Sequence, residues 1–210
     1  MTEQLLGGGH APLVRNLLRH FEAVGFEGAP RVLGIDDAGR DVVSWVEGEA
    51  GSIPVPPDDD VLADIGRLMR RMHDAQDGFD SGAEVVCHND WWPGNLIFRD
   101  GRVVALIDWE LAAPGTRLQD LARAAAWWAP LRPDNAARER GLDPARRGER
   151  LRVLCDAYGL AAAGRARILD VAIAEQLSWA EDPPDEDSAR LMRLNAAWIE
   201  ENRAELERWP

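Results

Sequence analysis

Hydrophobic residues recur at helical spacing early in the chain and then give way to short apolar runs. Residues 11–24, APLVRNLLRHFEAV, place apolar side chains on one face of a helix. Two apolar runs, 31–35 and 41–46, flank the turn sequence DDAGR and predict a β-hairpin. The next segment, 47–57, is rich in Gly and Pro and is typical of a linker. The pattern therefore predicts a small N-terminal lobe, residues 1–48, made of a helix and a hairpin.

The remaining residues, 49–210, are predicted to form a larger lobe that is mainly helical. It opens with an acid-capped amphipathic helix within 58–76. From Arg117 onward helical periodicity dominates, with one run over 162–180 and another over 188–209. Between these parts lies CHNDWWPGNLIFRDGRVVALIDWE, in which two apolar runs flank an Asp-Gly turn signal. This order of elements predicts an α+β fold in two lobes, with a second hairpin in the larger one.

Polar residues stand at both ends of this second hairpin. If Asp100 and Gly101 form a two-residue turn, opposed residues have numbers that sum to a constant. The predicted pairs are Phe98–Val103, Leu96–Ala105 and Asn95–Leu106. Because strand side chains alternate between faces, Asn95 and Asp108 would then share one face at one end of the hairpin. A slip of one residue in the register would separate them.

The polar residues at this end predict a metal and phosphate site. Asn95 and Asp108 offer hard oxygen ligands, which suit Mg²⁺ together with substrate phosphates. Asp90 precedes the hairpin by a short Trp-Trp-Pro-Gly loop, and a carboxylate beside the metal can accept a hydroxyl proton. Taken singly, each residue is better explained as a turn or strand-end residue. As a set they favour the site.

Composition narrows the classes of function. The net charge of −13 argues against a nucleic-acid surface and is compatible with a cationic small substrate, or simply with solubility. All 24 basic residues are arginine, so the chain contains no lysine. No apolar run is long enough for a membrane span, and the two cysteines give no disulfide framework. We therefore expect a cytoplasmic protein without a membrane or nucleic-acid partner.

Two motifs now identify a resemblance. HNDWWPGN has the order His-x-Asp-x₄-Asn, and the acid of LIDWE follows 13 residues after Asn95. This pair resembles the catalytic loop and metal-binding acid of the aminoglycoside phosphotransferase family, which has a protein-kinase-like fold and includes choline-kinase-like enzymes. The similarity covers roughly residues 11–210. It implies that Asp90 is the base for an acceptor hydroxyl and that His88 braces the loop.

The resemblance also implies a nucleotide site. Asn95 and Asp108 would hold Mg²⁺ on the phosphates of ATP or GTP. Ser44 and Val46 would offer backbone groups to an adenine ring. Asp120 would be a structural acid on the helix that follows the hairpin.

The N-terminal lobe departs from the family pattern. Family members have further strands before the first helix, and the third strand carries a basic residue, usually lysine, for the α- and β-phosphates. Here ten residues precede the predicted helix, and of these EQLLGGG resembles the start of a strand. Arg15 or Arg19 on the helix could take the phosphate role, and Glu22 would lack a lysine partner. The 31–46 hairpin would then have an open edge, which invites pairing with a second copy in a homodimer or cover by the N-terminal segment.

Three functions are compatible with these observations. The first is a small-molecule kinase that transfers the nucleotide γ-phosphate to a substrate hydroxyl, weakened by the reduced N-terminal lobe. The second is a non-catalytic pseudokinase of the same fold that binds a ligand or a partner. The third, a metal-dependent hydrolase built on His88, Asp90 and Asp108, is disfavoured because the other histidines lack ligand spacing.

Two groups of residues have open interpretations. Trp91 and Trp92 could stack on a substrate or simply cover the loop. Glu175 and the acidic residues 181–187 could attract an amine-bearing substrate or form a solvated loop.

Overall fold

The structure, a computed structural model, describes residues 4–6, 11–52, 58–183 and 185–208 of the chain. Its strands and helices confirm the predicted α+β class. The chain divides into two compact units. The first comprises Met1–Ser52 with Arg67–Arg117, and the second comprises Ile53–Gly66 with Leu118–Pro210. The predicted lobe boundary between residues 48 and 49 stays a prediction.

The described residues contain eight strands and nine α-helices. The strands are β1 (Gln4–Leu6), β2 (Val32–Ile35), β3 (Asp41–Val43), β4 (Glu49–Ala50), β5 (Val85–Cys87), β6 (Leu96–Arg99), β7 (Arg102–Leu106) and β8 (Ala113–Gly115). The helices are α1 (Ala11–Ala23), α2 (Asp59–Asp74), α3 (Arg117–Trp128), α4 (Asp134–Glu139), α5 (Arg147–Tyr158), α6 (Ala162–Arg165), α7 (Ile168–Trp179), α8 (Glu186–Glu201) and α9 (Arg203–Leu206). Within the described residues no helix is long and apolar enough to cross a membrane.

Helix α1 ends in a compact C-terminal motif. Gly25 has a φ of 77°, a conformation that costs glycine little. Phe26 N–H then donates to the carbonyl of Phe21 at 2.8 Å, and Gly25 N–H donates to that of Glu22 at 3.2 Å. The rings of Phe21 and Phe26 lie 4.8 Å apart. This pattern is a Schellman motif with its usual hydrophobic contact.

The N-terminal segment covers one edge of the first hairpin. Strand β1 pairs antiparallel with β3, and β2 lies on the other side of β3. Leu6 is opposite Asp41 in this register. Of the two outcomes expected for the hairpin edge, cover by the N-terminal segment is thus the one found at β3. No strand in the described part of the chain covers the outer edge of β2.

Part of the predicted linker is a strand. Glu49 and Ala50 form β4, which pairs with β6. Two glycines allow this close approach. A Cβ atom at Gly51 would lie 2.3 Å from the carbonyl oxygen of Pro93, and one at Gly48 would lie 2.4 Å from that of Phe98. The prediction of a linker was therefore wrong for this part, whereas residues 53–57 lie outside the described residues.

The second hairpin has an irregular register. Phe98 is opposite Val103, as predicted, but Leu96 is opposite Leu106 and not Ala105. The register shifts between Ile97 and Phe98, which inserts one extra residue into β7. The predicted pairing of Asn95 with Leu106 was wrong for the same reason. Ile107 N–H instead donates to the carbonyl oxygen of Asn95 at 2.8 Å.

The second unit is helical, as predicted, but two of its long runs are interrupted. The run over 162–180 divides into α6 and α7, and the run over 188–209 divides into α8 and α9 at Asn202, with residue 209 outside the described range. Gly66 allows α2 to approach α5, because a Cβ atom there would lie 2.8 Å from the carbonyl oxygen of Leu154. Trp128 is fully buried, and Arg150 donates to its carbonyl oxygen at 2.7 Å.

Each unit contains one buried cysteine. The thiol of Cys87 in the first unit donates to the carbonyl oxygen of Thr116 at 3.3 Å. In the second unit, burial raises the pKa of the Cys155 thiol to about 12. Both thiols are therefore protected from reaction in the folded protein.

Candidate functional site

A buried histidine holds the loop between β5 and β6. His88 is fully buried, and its Nε2 lies 3.1 Å from the carbonyl oxygen of Ile107. Its Nδ1 accepts a hydrogen bond from the backbone N–H of Asp90 at 3.3 Å. These contacts fit the tautomer that carries its proton on Nε2. Both ring nitrogens are thereby used within the protein, which leaves neither for a metal ion and removes the basis of the hydrolase hypothesis. A catalytic part for His88 stays a prediction.

Trp109 connects this histidine to the first helix. The ring centroids of His88 and Trp109 are 4.7 Å apart, and those of Phe21 and Trp109 are 5.6 Å apart, both edge to face. Trp109 is fully buried and its Nε1 donates to the carbonyl oxygen of Leu106 at 3.2 Å. Trp109 was not predicted as part of the site. Its place directly after Asp108 in the motif was the available signal.

One amide links the loop to the hairpin. The Nδ2 of Asn95 donates to Oδ2 of Asp90 at 2.8 Å and to the backbone oxygen of Asp90 at 3.1 Å. The Oδ1 of Asn95 accepts from Nε1 of Trp92 at 2.9 Å. The amide orientation is thus fixed from both sides. Since an amide oxygen has two lone pairs, Oδ1 can accept from Trp92 and still bind a cation.

The neighbouring residues Trp91 and Trp92 differ in burial and in what they contact. Trp91 is fully buried and belongs to the core beneath the loop. Trp92 is half-buried, and its indole lies flat against Gly94, where a Cβ atom would be 2.1 Å from Cζ2 of the ring. Trp91 therefore covers the loop from below, whereas Trp92 contacts the candidate ligand Asn95 directly.

Asp90 has the electrostatics of a base. Burial raises the pKa of its carboxyl group above the ordinary value. The hydrogen bond from Asn95 opposes this shift, and the charge of Asp108 adds to it. A carboxylate with a raised pKa is a stronger proton acceptor than an exposed one. The electrostatic effect also places Asp108 near Asp90.

Asp108 follows the end of β7 in a left-handed conformation. Its φ is 61°, and Asn89 on the other side of the site has a φ of 71°. Such values are uncommon for residues with a side chain and concentrate at functional sites. Because Asp108 lies beyond the strand and has this conformation, strand alternation could not place its side chain. The charge of Asp108 nevertheless acts on Asp90, which Asn95 contacts directly.

The residues expected to contact a nucleotide base lie on the segment after β3. Ser44 N–H donates to the carbonyl oxygen of Arg31 at 2.8 Å, and the Ser44 hydroxyl accepts from Arg31 N–H at 2.9 Å. Val46 is half-buried between β3 and β4. Their role in nucleotide binding stays a prediction.

An ion pair lies where the first helix meets β3. Arg15 on α1 donates to Oδ1 of Asp41, a residue that is 1% exposed. The second oxygen, Oδ2, is buried and has no hydrogen-bond partner among the described residues. Arg19 and Glu22 are exposed. Of the two arginines considered for a phosphate contact, Arg15 is therefore already paired with an acid.

The donor set at the hairpin fits a hard divalent cation. Among the residues that the structure describes, no three His, Cys, Asp or Glu side chains cluster as a metal site would require. A site built from one amide and one carboxylate is a different case, since Mg²⁺ commonly takes few protein ligands and completes its shell with water and phosphate oxygens. Asn95 and Asp108 are ligands of this kind.

Of the acids considered in the second unit, Glu175 and Asp120 are buried, whereas those of 181–187 are exposed. Glu175 is 7% exposed, and its carboxylate accepts from Arg123 at 2.6 Å and from Gln119 at 2.9 Å. It is therefore neither a substrate-attracting acid nor part of a solvated loop. Asp185 caps α8 by accepting from Ser188 N–H at 2.7 Å. Asp120 on α3 is fully buried, as expected of a structural acid.

Comparison with known proteins gives one family and one curated relative. The phosphotransferase enzyme family (APH) matches residues 77–159, which include the whole loop and hairpin. The trifolitoxin immunity protein of Rhizobium leguminosarum bv. trifolii is 33% identical over 233 aligned residues. That alignment covers 96% of this chain and 89% of the relative.

Solved structures with the same fold include kinases of small molecules. The ethanolamine kinase of Plasmodium vivax has a TM-score of 0.59 at 12% identity, with 94% of this chain and 81% of that chain covered. A macrolide 2′-phosphotransferase from Brachybacterium faecium has a TM-score of 0.53 at 15% identity, with 91% and 82% covered. An aminoglycoside-3′-phosphotransferase of type VIII has a TM-score of 0.51 at 18% identity, with 93% and 84% covered. The predicted protein-kinase-like fold is thereby confirmed.

Proposed function

Because the chain belongs to the phosphotransferase enzyme (APH) family, we propose that it transfers the γ-phosphate of a nucleotide to a hydroxyl group of a small molecule. One observation carries this proposal. Asp90, with its raised pKa, is hydrogen-bonded to Asn95 and lies within the electrostatic influence of Asp108. A proton acceptor and two oxygen ligands are the groups that such a transfer needs at one place.

Asp90 would orient the acceptor hydroxyl and hold its proton. Asn95 and the backbone N–H of Trp92 donate hydrogen bonds to the carboxylate, and its remaining lone pairs would accept the substrate hydroxyl. His88 fixes the backbone at Asp90 and thereby the position of this carboxylate. General-base catalysis of this kind contributes about 10²–10⁴-fold to a rate.

Asn95 and Asp108 would hold Mg²⁺, and ATP or GTP would supply the phosphate. When bound, the cation would neutralise charge on the phosphate oxygens. Trp92 keeps the amide oxygen of Asn95 in a fixed orientation before any ligand binds. Ser44 and Val46 would contact the base of the nucleotide.

The phosphate contacts of this chain would be weak. No lysine occurs in the 210 residues, and Arg15 is paired with Asp41. Charge stabilisation supplies most of the catalysis of phosphoryl transfer. We therefore expect a turnover below the 1–100 s⁻¹ that is typical of kinases.

A non-catalytic function of the same fold is the second candidate. The missing lysine favours it, because a site that binds a ligand without transferring phosphate does not need that contact. The name of the relative, an immunity protein, is compatible with both candidates. A protective protein can modify a toxic small molecule, or it can bind that molecule without modifying it.

Nucleotide binding and phosphate transfer separate the two candidates. Calorimetry with ATP and GTP, each with and without Mg²⁺, would measure binding. Transfer would be assayed on amino sugars, macrolides and amino alcohols. We expect Asp108→Ala to weaken Mg²⁺-nucleotide binding at least about tenfold, and Asp90→Ala to keep binding but lower transfer about 10²–10⁴-fold.

Asp100→Asn is the matched control, since Asp100 is an exposed acid at the other end of the same hairpin. It should leave binding and transfer unchanged. If Asp108→Ala binds Mg²⁺-nucleotide as tightly as the unmodified protein, and no acceptor is phosphorylated, the kinase proposal is wrong. Binding of nucleotide without any transfer would favour the non-catalytic candidate.

A further inference from the structure

Two arginines of the second unit lie beside the same indole ring. The guanidinium carbon of Arg140 is 3.7 Å from the ring centroid of Trp127, and that of Arg132 is 5.6 Å from it. Arg132 is 4% exposed, whereas Arg140 and Trp127 are half-buried. Both guanidinium groups therefore lie near the Trp127 ring, and the charge of Arg140 acts on that of Arg132. Arg140 is the member of the pair that is accessible to a ligand.

No acid pairs with either guanidinium within the described residues. The Nε atom of Arg132 and the Nη1 atom of Arg140 are buried, and neither has a hydrogen-bond partner there. The neighbouring Arg147 differs, because its guanidinium donates to three backbone carbonyls and to Asp134. Buried charges without partners are costly and therefore rare in stable proteins.

The two arginines also repel each other. Burial and, to a smaller extent, the charge of Arg140 lower the pKa of Arg132 to about 9. Burial likewise lowers the pKa of Arg140 to about 10, with only partial compensation from the charge of Glu139. Two such positive groups near each other destabilise the fold unless a negatively charged group binds beside them.

The arrangement is held in place without a ligand. The Nη2 atom of Arg132 donates to the carbonyl oxygen of Ala126 at 2.6 Å, which fixes its guanidinium at the end of α3. Arg147 in turn donates to the backbone oxygens of Arg132 at 2.8 Å and Pro130 at 3.1 Å. These hydrogen bonds fix the loop that carries Arg132. They thereby fix the position of its Nε–H group, which has no hydrogen-bond partner among the described residues.

We propose that Arg132 and Arg140 form an oxyanion-binding site that takes a carboxylate or phosphate group against Trp127. Guanidinium groups donate in a planar fork that matches the oxygens of both anions. The ligand would bind at the partly exposed Arg140 beside Trp127 and screen the repulsion between the two charges. This site is independent of the proposed kinase function and lies outside the residues assigned to it.

Thermal unfolding of the full chain tests the site. Sodium phosphate and sodium acetate would each be titrated to about 20 mM at constant ionic strength maintained with sodium chloride. We expect a midpoint that rises with at least one of them, consistent with a Kd of about 1 mM. The two titrations show whether the site prefers phosphate or carboxylate.

Arg140→Gln removes one positive charge and one planar set of guanidinium donors. Without added oxyanion its midpoint should equal or exceed that of the unmodified protein, because the repulsion is gone. Its apparent affinity for the anion should fall at least about tenfold. Arg138→Gln, at an exposed arginine near the end of α4 and two residues before Arg140, is the matched control and should keep the anion response. Arg140→Lys, which keeps the charge but loses the fork, replaces the glutamine variant if that one fails to fold.

Two results would overturn the proposal. One is the absence of any midpoint change with phosphate or acetate beyond that of chloride. The other is an anion response of the Arg140 variant equal to that of Arg138→Gln, which would leave the arginines with only a packing role on Trp127.

Discussion

At the scale of single residues, the environment of Asp90 favours its proposed role as a base but lowers the stability of the fold. Its carboxyl group is partly removed from water and lies near the charge of Asp108, and both effects raise its pKa. The folded protein therefore favours the protonated form more than the unfolded chain does. Ionisation of Asp90 destabilises the fold, while it produces the base that the proposed reaction needs.

We expect Asp90→Asn to unfold at a higher temperature than the unmodified protein at neutral pH. The difference should be fully present above the raised pKa of Asp90. It should shrink as the pH falls and disappear below the ordinary carboxyl pKa of about 3.9, where Asp90 is protonated in both states. Thermal unfolding between pH 3.5 and 8 measures this. A constant difference across that range would show that the ionisation of Asp90 does not contribute.

Trp92→Phe tests the orientation of the Asn95 amide. The substitution keeps the ring over Gly94 but removes the donor that binds Oδ1 of Asn95. Loss of one such hydrogen bond costs about 0.5–1.5 kcal/mol. We expect binding of Mn²⁺ with nucleotide, measured by electron paramagnetic resonance, to weaken about two- to tenfold. Trp179→Phe, a half-buried tryptophan of the second unit, should leave binding unchanged.

At the scale of elements, sequence patterns located most helices and strands but not their finer register. The Asp100–Gly101 turn and the Phe98–Val103 pair follow from local turn chemistry. The extra residue in β7 does not, because a bulge depends on what the strand must pack against. Strand β4 was missed for a similar reason, since two residues carry no periodicity and pair only because Gly48 and Gly51 allow the approach.

The same contrast applies to the candidate site. The motif identified Asp90, Asn95 and Asp108 because their spacing is characteristic. The contact of Trp92 with Asn95 and the packing of Trp109 on His88 could not be predicted, because both depend on the three-dimensional arrangement of rings.

Gly94, in the loop between β5 and β6, gives a prediction at the scale of elements. A methyl group at Gly94 would lie 2.1 Å from the Trp92 ring, so Gly94→Ala must displace the indole. We expect a loss of about 1–3 kcal/mol in the free energy of unfolding, measured with urea. Gly34→Ala on β2 is the control, because nothing lies within 4 Å of its Cβ position and its cost should be below about 1 kcal/mol. Equal effects of the two substitutions would contradict the contact.

At the scale of the whole molecule, β2 presents an apolar edge. Leu33 and Ile35 are 55% and 52% exposed, and β2 has no outer neighbour in the described part of the chain. Exposed strand edges with apolar side chains pair readily with other strands. We propose that a second copy of the chain pairs along this edge, which would make a homodimer.

Analytical ultracentrifugation at micromolar concentration tests this proposal. We expect a mass of about twice the 23.2 kDa of the chain. Leu33→Glu should shift the mass to that of one chain, because it places charge on the edge. Leu194→Glu, at an equally exposed leucine of the second unit, should not. A mass of one chain for the unmodified protein would contradict the homodimer proposal.

The two cysteines can report on the unfolding of each unit. Since Cys87 lies in the first unit and Cys155 in the second, a thiol reagent can modify each only when the surrounding unit opens. Mass spectrometry of the labelled peptides over time would then show whether the halves of the chain melt together or one before the other. Ligands could be screened by which of the two labelling rates they slow, with no enzymatic assay required.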